Sequence, residues 1–196
     1  MSSASSRSSD PVRSAIDSAR AEVLAQAAPF APAPVIVLID GRSGAGKSTL
    51  ADALVQSWPV GGDVQLLRLD SLYPGWDGLD DGVGIVRDGV LAPLARGEDG
   101  TWPRWDWAAS RPAEIHRVDA ARSLIVEGSG ILTPQTAPFA QVRVWMESPL
   151  ESRRERALAR DGETYRPHWE RWAQQEDRHL ERDDPPASAT LVWAIP

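Results

Sequence analysis

At 196 residues, 42% of them hydrophobic, the chain carries enough apolar material for one sizeable core and too little length for two ordinary domains with linkers. Its 21 basic against 28 acidic residues leave a net charge of −7, which excludes a general nucleic-acid binder that works through a broad positive surface. There is no cysteine, so disulfides, thiolate metal sites and thiol nucleophiles are excluded, and no apolar run approaches the length of a membrane span.

Residues 1–9 are serine-rich and read as a disordered tail; 10–196 reads as a single domain, cytoplasmic because the first residues lack the apolar core of a signal peptide. From 10 to 28 an Asp cap, a Pro at the first helical position and Val12, Ile16, Ala19 and Val23 at helical spacing predict a helix. After the Pro-punctuated connector "APFAPAP", the continuous apolar run Val35 to Ile39 predicts a strand buried on both faces. Glycines and a second helix, "KSTLADALVQSW", follow at once. Further strands are predicted at 63–70, 122–128, 141–148 and 189–195, with helices near 82–95, 149–160 and 167–182. The alternation predicts an α/β three-layer sandwich around a five-stranded parallel sheet.

Between the first strand and second helix, Gly41-Arg42-Ser43-Gly44-Ala45-Gly46-Lys47-Ser48 fits the phosphate-loop pattern G-x-x-x-x-G-K-[ST] in the strand-to-helix setting that pattern requires. Glycines let consecutive backbone N–H groups turn inward toward phosphate oxygens, and the helix adds its positive end. Lys47 is the only lysine in the chain; every other basic residue is arginine. A compact ammonium on a flexible stem can reach β- and γ-phosphates inside such a loop, where a planar guanidinium is too large. Ser48 can ligate Mg²⁺, and Thr49 can reach another phosphate. The expected ligands are therefore ATP and Mg²⁺.

Such a site also needs carboxylates at strand ends, and Asp70 and Glu127 close two predicted strands. Asp70 fits a general base and outer metal partner, Glu127 a metal-organising acid; each could instead cap the following segment. Arg153, Arg156 and Arg160 share one face of the helix after the fourth strand, a lid over phosphates at about 149–166 or a solvated face with Glu partners. Tryptophans crowd "TWPRWDW" (102–107) and "HWERW" (168–172), the first in an expected loop, as a stacking wall for a ring or as core of a small subdomain. His116, His168 and His179 show no ligand spacing and read as surface or helix positions.

In this order the residues resemble the uridine kinase family of P-loop phosphotransferases, over about 35–182. The matching pieces are the phosphate loop, Asp70-Ser71-Leu72-Tyr73, Trp76-Asp77-Gly78-Leu79-Asp80, Pro103-Arg104-Trp105-Asp106-Trp107 with Arg111, Val126-Glu127-Gly128, and Arg153-Arg154 through Arg160-Asp161. The resemblance implies Asp70 as catalytic base, Glu127 as magnesium partner, Asp77 as ligand of a sugar hydroxyl, Trp105 as an aromatic facing a base, and Arg160 as a lid arginine on phosphate. Tyr73 and Arg111 are then expected on the acceptor side, and the sheet is expected in the order 2-3-1-4-5. Two departures stand out: the insertion between the family's D-S-F-Y and F-D-H-P-D is almost absent, and Ala109 and Ser110 stand where the family has the histidine that reads a pyrimidine. The implied activity is transfer of the ATP γ-phosphoryl group to a hydroxyl of a small-molecule acceptor, a nucleoside or sugar-like alcohol, with uridine and cytidine disfavoured. Other expected acceptors are a nucleotide, a sugar acid or an antibiotic. The alternative is an ATP-binding regulator without a small-molecule acceptor. A GTP switch is excluded by the lack of any asparagine or second lysine for N-K-x-D. No nucleic-acid or membrane partner is expected, and oligomeric state is left open.

Overall fold

The computed structural model describes residues 10–59 and 62–196; the stretch 1–9 and its expected disorder lie outside the described residues. Helix α1 (Pro11–Ala27) starts where its signals place it, with the Asp10 carboxylate accepting the Val12 N–H at 3.0 Å and Ile16, Ala19 and Val23 turned inward. Strand β1 (Ile36–Gly41) follows, then α2 (Lys47–Ser57) and β2 (Val64–Arg68). The expected helix at 82–95 is α3 (Leu79–Val86), a π-helical turn Arg87–Leu91 and α4 (Ala92–Ala95). Pro93 lacks an N–H, and the widened turn lies directly before it.

The chain then forms a hairpin, β3 (Gly100–Asp106) with β4 (Arg111–Val118), where the sequence predicts a loop. Prolines at 103 and 112 disguise it, yet a two-stranded ribbon tolerates them because much of its backbone needs no ladder partner. Across it Trp102 stacks on His116 at 4.6 Å. The remaining elements are β5 (Ser123–Glu127), β6 (Val142–Glu147), α5 (Leu150–Tyr165), α6 (Trp169–Asp183), α7 (Pro185–Ser188) and β7 (Leu191–Ala194).

The main sheet is parallel throughout, in the order β2-β5-β1-β6-β7, which is 2-3-1-4-5 when its five strands are counted along the chain. Val37, Leu38 and Ile39 have no exposed surface because both faces are covered: Leu38 faces the layer holding α3 and α6, and its two neighbours face α1 and α2. With β1 central and Ile39 paired to Glu127, the phosphate loop, Glu127 and the turn after β2 meet at the carboxyl edge of the sheet. Among the described residues no helix is long and apolar enough to cross a membrane.

Candidate active site

The loop after β1 turns through two left-handed glycines, Gly44 at φ +80° and Gly46 at φ +98°. A Cβ on Gly44 would overlap the carbonyl oxygen of Arg153, so the loop and the root of α5 touch through bare backbone. Ala45 is fully buried and offers a ligand only its backbone, whereas Thr49 is exposed on the outer side of the loop. Lys47 is 8% exposed; its Nζ donates to the carbonyls of Gly41 at 2.6 Å and Arg42 at 3.1 Å and to Ser129 Oγ at 3.2 Å. The ammonium thus lies curled inside the loop among three oxygens.

Ser48 Oγ donates to Glu127 Oε1 at 3.0 Å, and Arg68 Nε stands 3.4 Å from the same oxygen. Burial pushes the Glu127 carboxyl above its ordinary range; Lys47, the Ser48 hydrogen bond and Arg68 pull it back, and Asp70 adds to the rise. Asp70 sits in a 3-10 turn, Leu69–Ser71, two residues beyond the end of β2, with a largely exposed carboxylate. Arg160 Nη2 is 3.9 Å from it. The backbone carbonyl of Asp70 accepts the indole N–H of Trp107 at 2.8 Å, which ties the hairpin end to this turn.

A cavity of about 400 Å³ opens between these groups. It is lined by the phosphate loop (Ser43, Gly44, Lys47, Ser48) with Asp70, Glu127 and Arg160, and by the aromatic side chains of Tyr73, Trp76, Trp107, Tyr165 and Trp172. The aromatic wall is itself packed: Trp76 stacks on His168 at 4.2 Å and meets Trp107 at 4.9 Å, and Tyr73 meets Trp172 edge-on at 4.8 Å. Tyr73 OH donates to the Ser129 carbonyl at 2.7 Å, and burial followed by Asp70 raises its pKa well above the ordinary value, so the phenol stays neutral. A smaller hollow of about 190 Å³ is lined by Gly44, Lys47, Thr49, Arg156 and Arg160 among others. Arg160 faces both spaces.

The expected site residues therefore separate. Lys47, Ser48, Asp70, Glu127, Arg160 and Tyr73 share one cavity with Ser43 and Gly44. Arg153 lies apart, buried with its guanidinium on the carbonyls of Ser148 at 3.1 Å and Ser43 at 3.3 Å, so it braces the loop from behind. Arg156 donates to the Gly44 carbonyl at 2.8 Å and to the Pro196 backbone oxygen at 2.7 Å. Trp105, Asp77 and Arg111 do not line the cavity. Trp105 is half-buried on β3, Arg111 is exposed at the start of β4, and Asp77 is paired with Arg171, whose hydrogen bond lowers its pKa. The tryptophans at the cavity are Trp76, Trp107 and Trp172.

Sequence reasoning also missed Ser129, Tyr165 and Glu176. The run "EGSG" directly after a strand-ending acid was a usable signal for Ser129, since that strand end faces the loop. Of the histidines, His179 is a helix residue as expected but a buried one, with Nε2 3.0 Å from Asp40 and Nδ1 2.8 Å from Asp183. Burial pulls its pKa down, and the two carboxylates outweigh that and raise it.

The donor set suits a nucleotide with a hard divalent cation. Residues of the glycine loop, an ammonium and a guanidinium line one space, and the oxygens of Ser48, Glu127 and Asp70 are the ligand type Mg²⁺ prefers. Among the described residues no three His, Cys, Asp or Glu cluster as a metal cage, and an ion shared with phosphate oxygens requires none.

No family model matches the chain. Its fold does match solved structures. A possible uridine kinase from Bacillus stearothermophilus superposes with a TM-score of 0.67 at 21% identity, over 93% of this chain and 98% of that one. A candidate fructose transport system kinase from Silicibacter sp. TM1040 gives 0.55 at 19% identity, over 91% and 98%. At such identities the likeness is one of fold: this chain has the α/β sandwich of the P-loop kinases.

Proposed function

We propose that this protein is a phosphotransferase that moves the γ-phosphoryl group of ATP to a hydroxyl of a small-molecule acceptor. The observation that carries the reading is the placement of a carboxylate, Asp70, and a guanidinium, Arg160, in the same cavity as the phosphate loop, with aromatic side chains lining the rest. A binding module needs the loop; it does not need a base and a cation in the same cavity.

Bound ATP with Mg²⁺ supplies the phosphoryl group and part of the charge neutralisation. The chain's own residues do the rest. The amides of the loop and the start of α2 hold the phosphate chain, and Lys47 leaves its carbonyl partners to reach phosphate oxygens. Ser48 and Glu127 would hold the metal. Asp70 accepts the proton of the acceptor hydroxyl at its carboxylate, and Arg160 stands where negative charge grows between donor and acceptor. The wall of Trp76, Trp107, Trp172 and Tyr165 packs against the acceptor and excludes water.

The test is ADP release from Mg²⁺-ATP across nucleosides, sugars and other small polyols, led by uridine and fructose, which appear in the names of two structural neighbours. Asp70→Asn is expected to abolish acceptor-stimulated release while sparing ATP-dependent thermal stabilisation. Intact ATP binding with no stimulation by any acceptor would sink the phosphotransferase reading in favour of an ATP-binding regulator.

A further inference from the structure

Helix α6 turns one face toward the phosphate loop, and that face carries Trp172, Glu176, His179 and Asp183. Glu176 is 3% exposed, and among the described residues no cation lies within ion-pair distance of it. Its Oε1 instead collects three donors: the Ser43 backbone N–H at 2.7 Å, Ser129 Oγ at 2.8 Å and the Trp172 indole N–H at 3.1 Å. The single Ser129 proton faces two acceptors, this carboxylate and the Gly41 carbonyl at 3.0 Å; the charged and nearer one takes it. Ser129 in turn accepts from Lys47 Nζ, so one hydroxyl separates the buried carboxylate from the chain's only lysine.

We propose that Glu176 is a positioning residue of the phosphate loop, holding the Ser43 backbone and the Ser129 hydroxyl beside Lys47 in the arrangement that receives the phosphate chain. This rests on the reading that the loop binds Mg²⁺-ATP. Ser43 is gripped at both ends, its N–H by Glu176 and its carbonyl by Arg153 at 3.3 Å. With both peptide groups of that residue fixed, the loop backbone that follows is held in one path, in which the Ala45 N–H closes on the Arg42 carbonyl at 3.1 Å. A helix that slid could not do this, and α6 is pinned three residues further on. There His179 lies between Asp40 and Asp183, and Asp40 itself accepts the backbone N–H groups of Gly41, Gly130 and Leu132 at 2.6, 2.9 and 2.7 Å. The oxygen that grips the loop also grips Trp172 of the acceptor wall, so the two halves of the site share one fastening.

The dissociation constant of Mg²⁺-ATP, measured by calorimetry on parent, Glu176→Ala and Glu176→Gln, tests this. The expectation is a rise of at least tenfold for Ala and a return to within threefold of the parent for Gln, which keeps an acceptor oxygen in place. Should Glu176→Ala fail to fold, Glu176→Asp, which draws the oxygen back by one methylene, takes its place with the same tenfold expectation. An Ala or Asp variant that melts earlier yet binds within threefold of the parent makes Glu176 a packing residue and overturns the proposal, as does a Gln variant as weak as Ala. A parent that does not bind Mg²⁺-ATP at all would instead bring down the phosphotransferase reading, and the proposal with it.

Discussion

Replacing Lys47 by arginine keeps the charge and changes only its shape. In the loop the ammonium contacts three oxygens at 2.6, 3.1 and 3.2 Å and is 8% exposed, a cradle with room for one small head group. A guanidinium is planar and commits its donors to a fixed fork, so it cannot follow the same curved path to two phosphates. Losing two charge-assisted hydrogen bonds to phosphate at about 1.5–3 kcal/mol each gives about 3–6 kcal/mol, or roughly 10²–10⁴-fold in kcat/KM. Overpacking the cradle costs about 1–3 kcal/mol of stability, which leaves the fold intact. Steady-state ADP release with the best acceptor, read beside circular dichroism and thermal melts, separates the two effects. An arginine variant that turns over within threefold of the parent would refute the idea that this position excludes arginine by shape.

His179→Gln should change how stability depends on pH. Both ring nitrogens face carboxylates, which requires the doubly protonated ring, and the folded pKa is raised; the stabilisation is therefore complete below the unfolded value near 6.5 and lost as pH climbs through the raised one. Thermal melts across that window should fall for the parent and stay flatter for the variant, and parallel profiles would contradict the assignment. Gly44→Ala forces a side chain onto the Arg153 carbonyl from a φ of +80°, and chemical denaturation should find it about 1–3 kcal/mol less stable, with ATP binding lost; a variant as stable as the parent would show that loop and helix can separate freely. Trp107→Phe removes the 2.8 Å bond to the Asp70 carbonyl from a partly exposed ring. At about 0.5–1.5 kcal/mol for such a bond, kcat should drop about two- to tenfold with ATP affinity unchanged, and an equal loss of both would mean the indole serves the nucleotide side.

The parts of the site written in neighbouring residues were legible in the sequence. The loop from Gly41 to Ser48 declares itself because a buried strand, glycines and a helix must be contiguous to hold phosphate; Glu127 follows from being the acid that ends a strand, and Asp70 from lying just past one, in the turn after β2. The sheet's strands were legible because each is a short segment rich in Val, Leu and Ile between helical or glycine- and proline-marked stretches. The hairpin was not, since its prolines and charges remove the alternation that marks a half-buried strand. Without that hairpin, Trp105 and Trp107 could not be told apart, and only the latter reaches the cavity, from the bend beyond β3. Glu176 was invisible for a different reason: its partner Ser43 is 133 residues away, and nothing local to "WAQQEDRH" distinguishes a buried acid from a solvated one.

Mechanically, α5 is a cantilever. Its root is fastened to the phosphate loop by Arg153 on Ser43 and Arg156 on Gly44, and its regular path breaks only at Gly162, where φ 57° and ψ −136° leave the helical range. Arg160 rides on the span between the fastenings and the break. Arg160 stands two residues before that break, on the same continuous stretch of helix as the two arginines that hold the loop. One helical segment therefore carries both the side chains that grip the loop carbonyls and the guanidinium that faces Asp70.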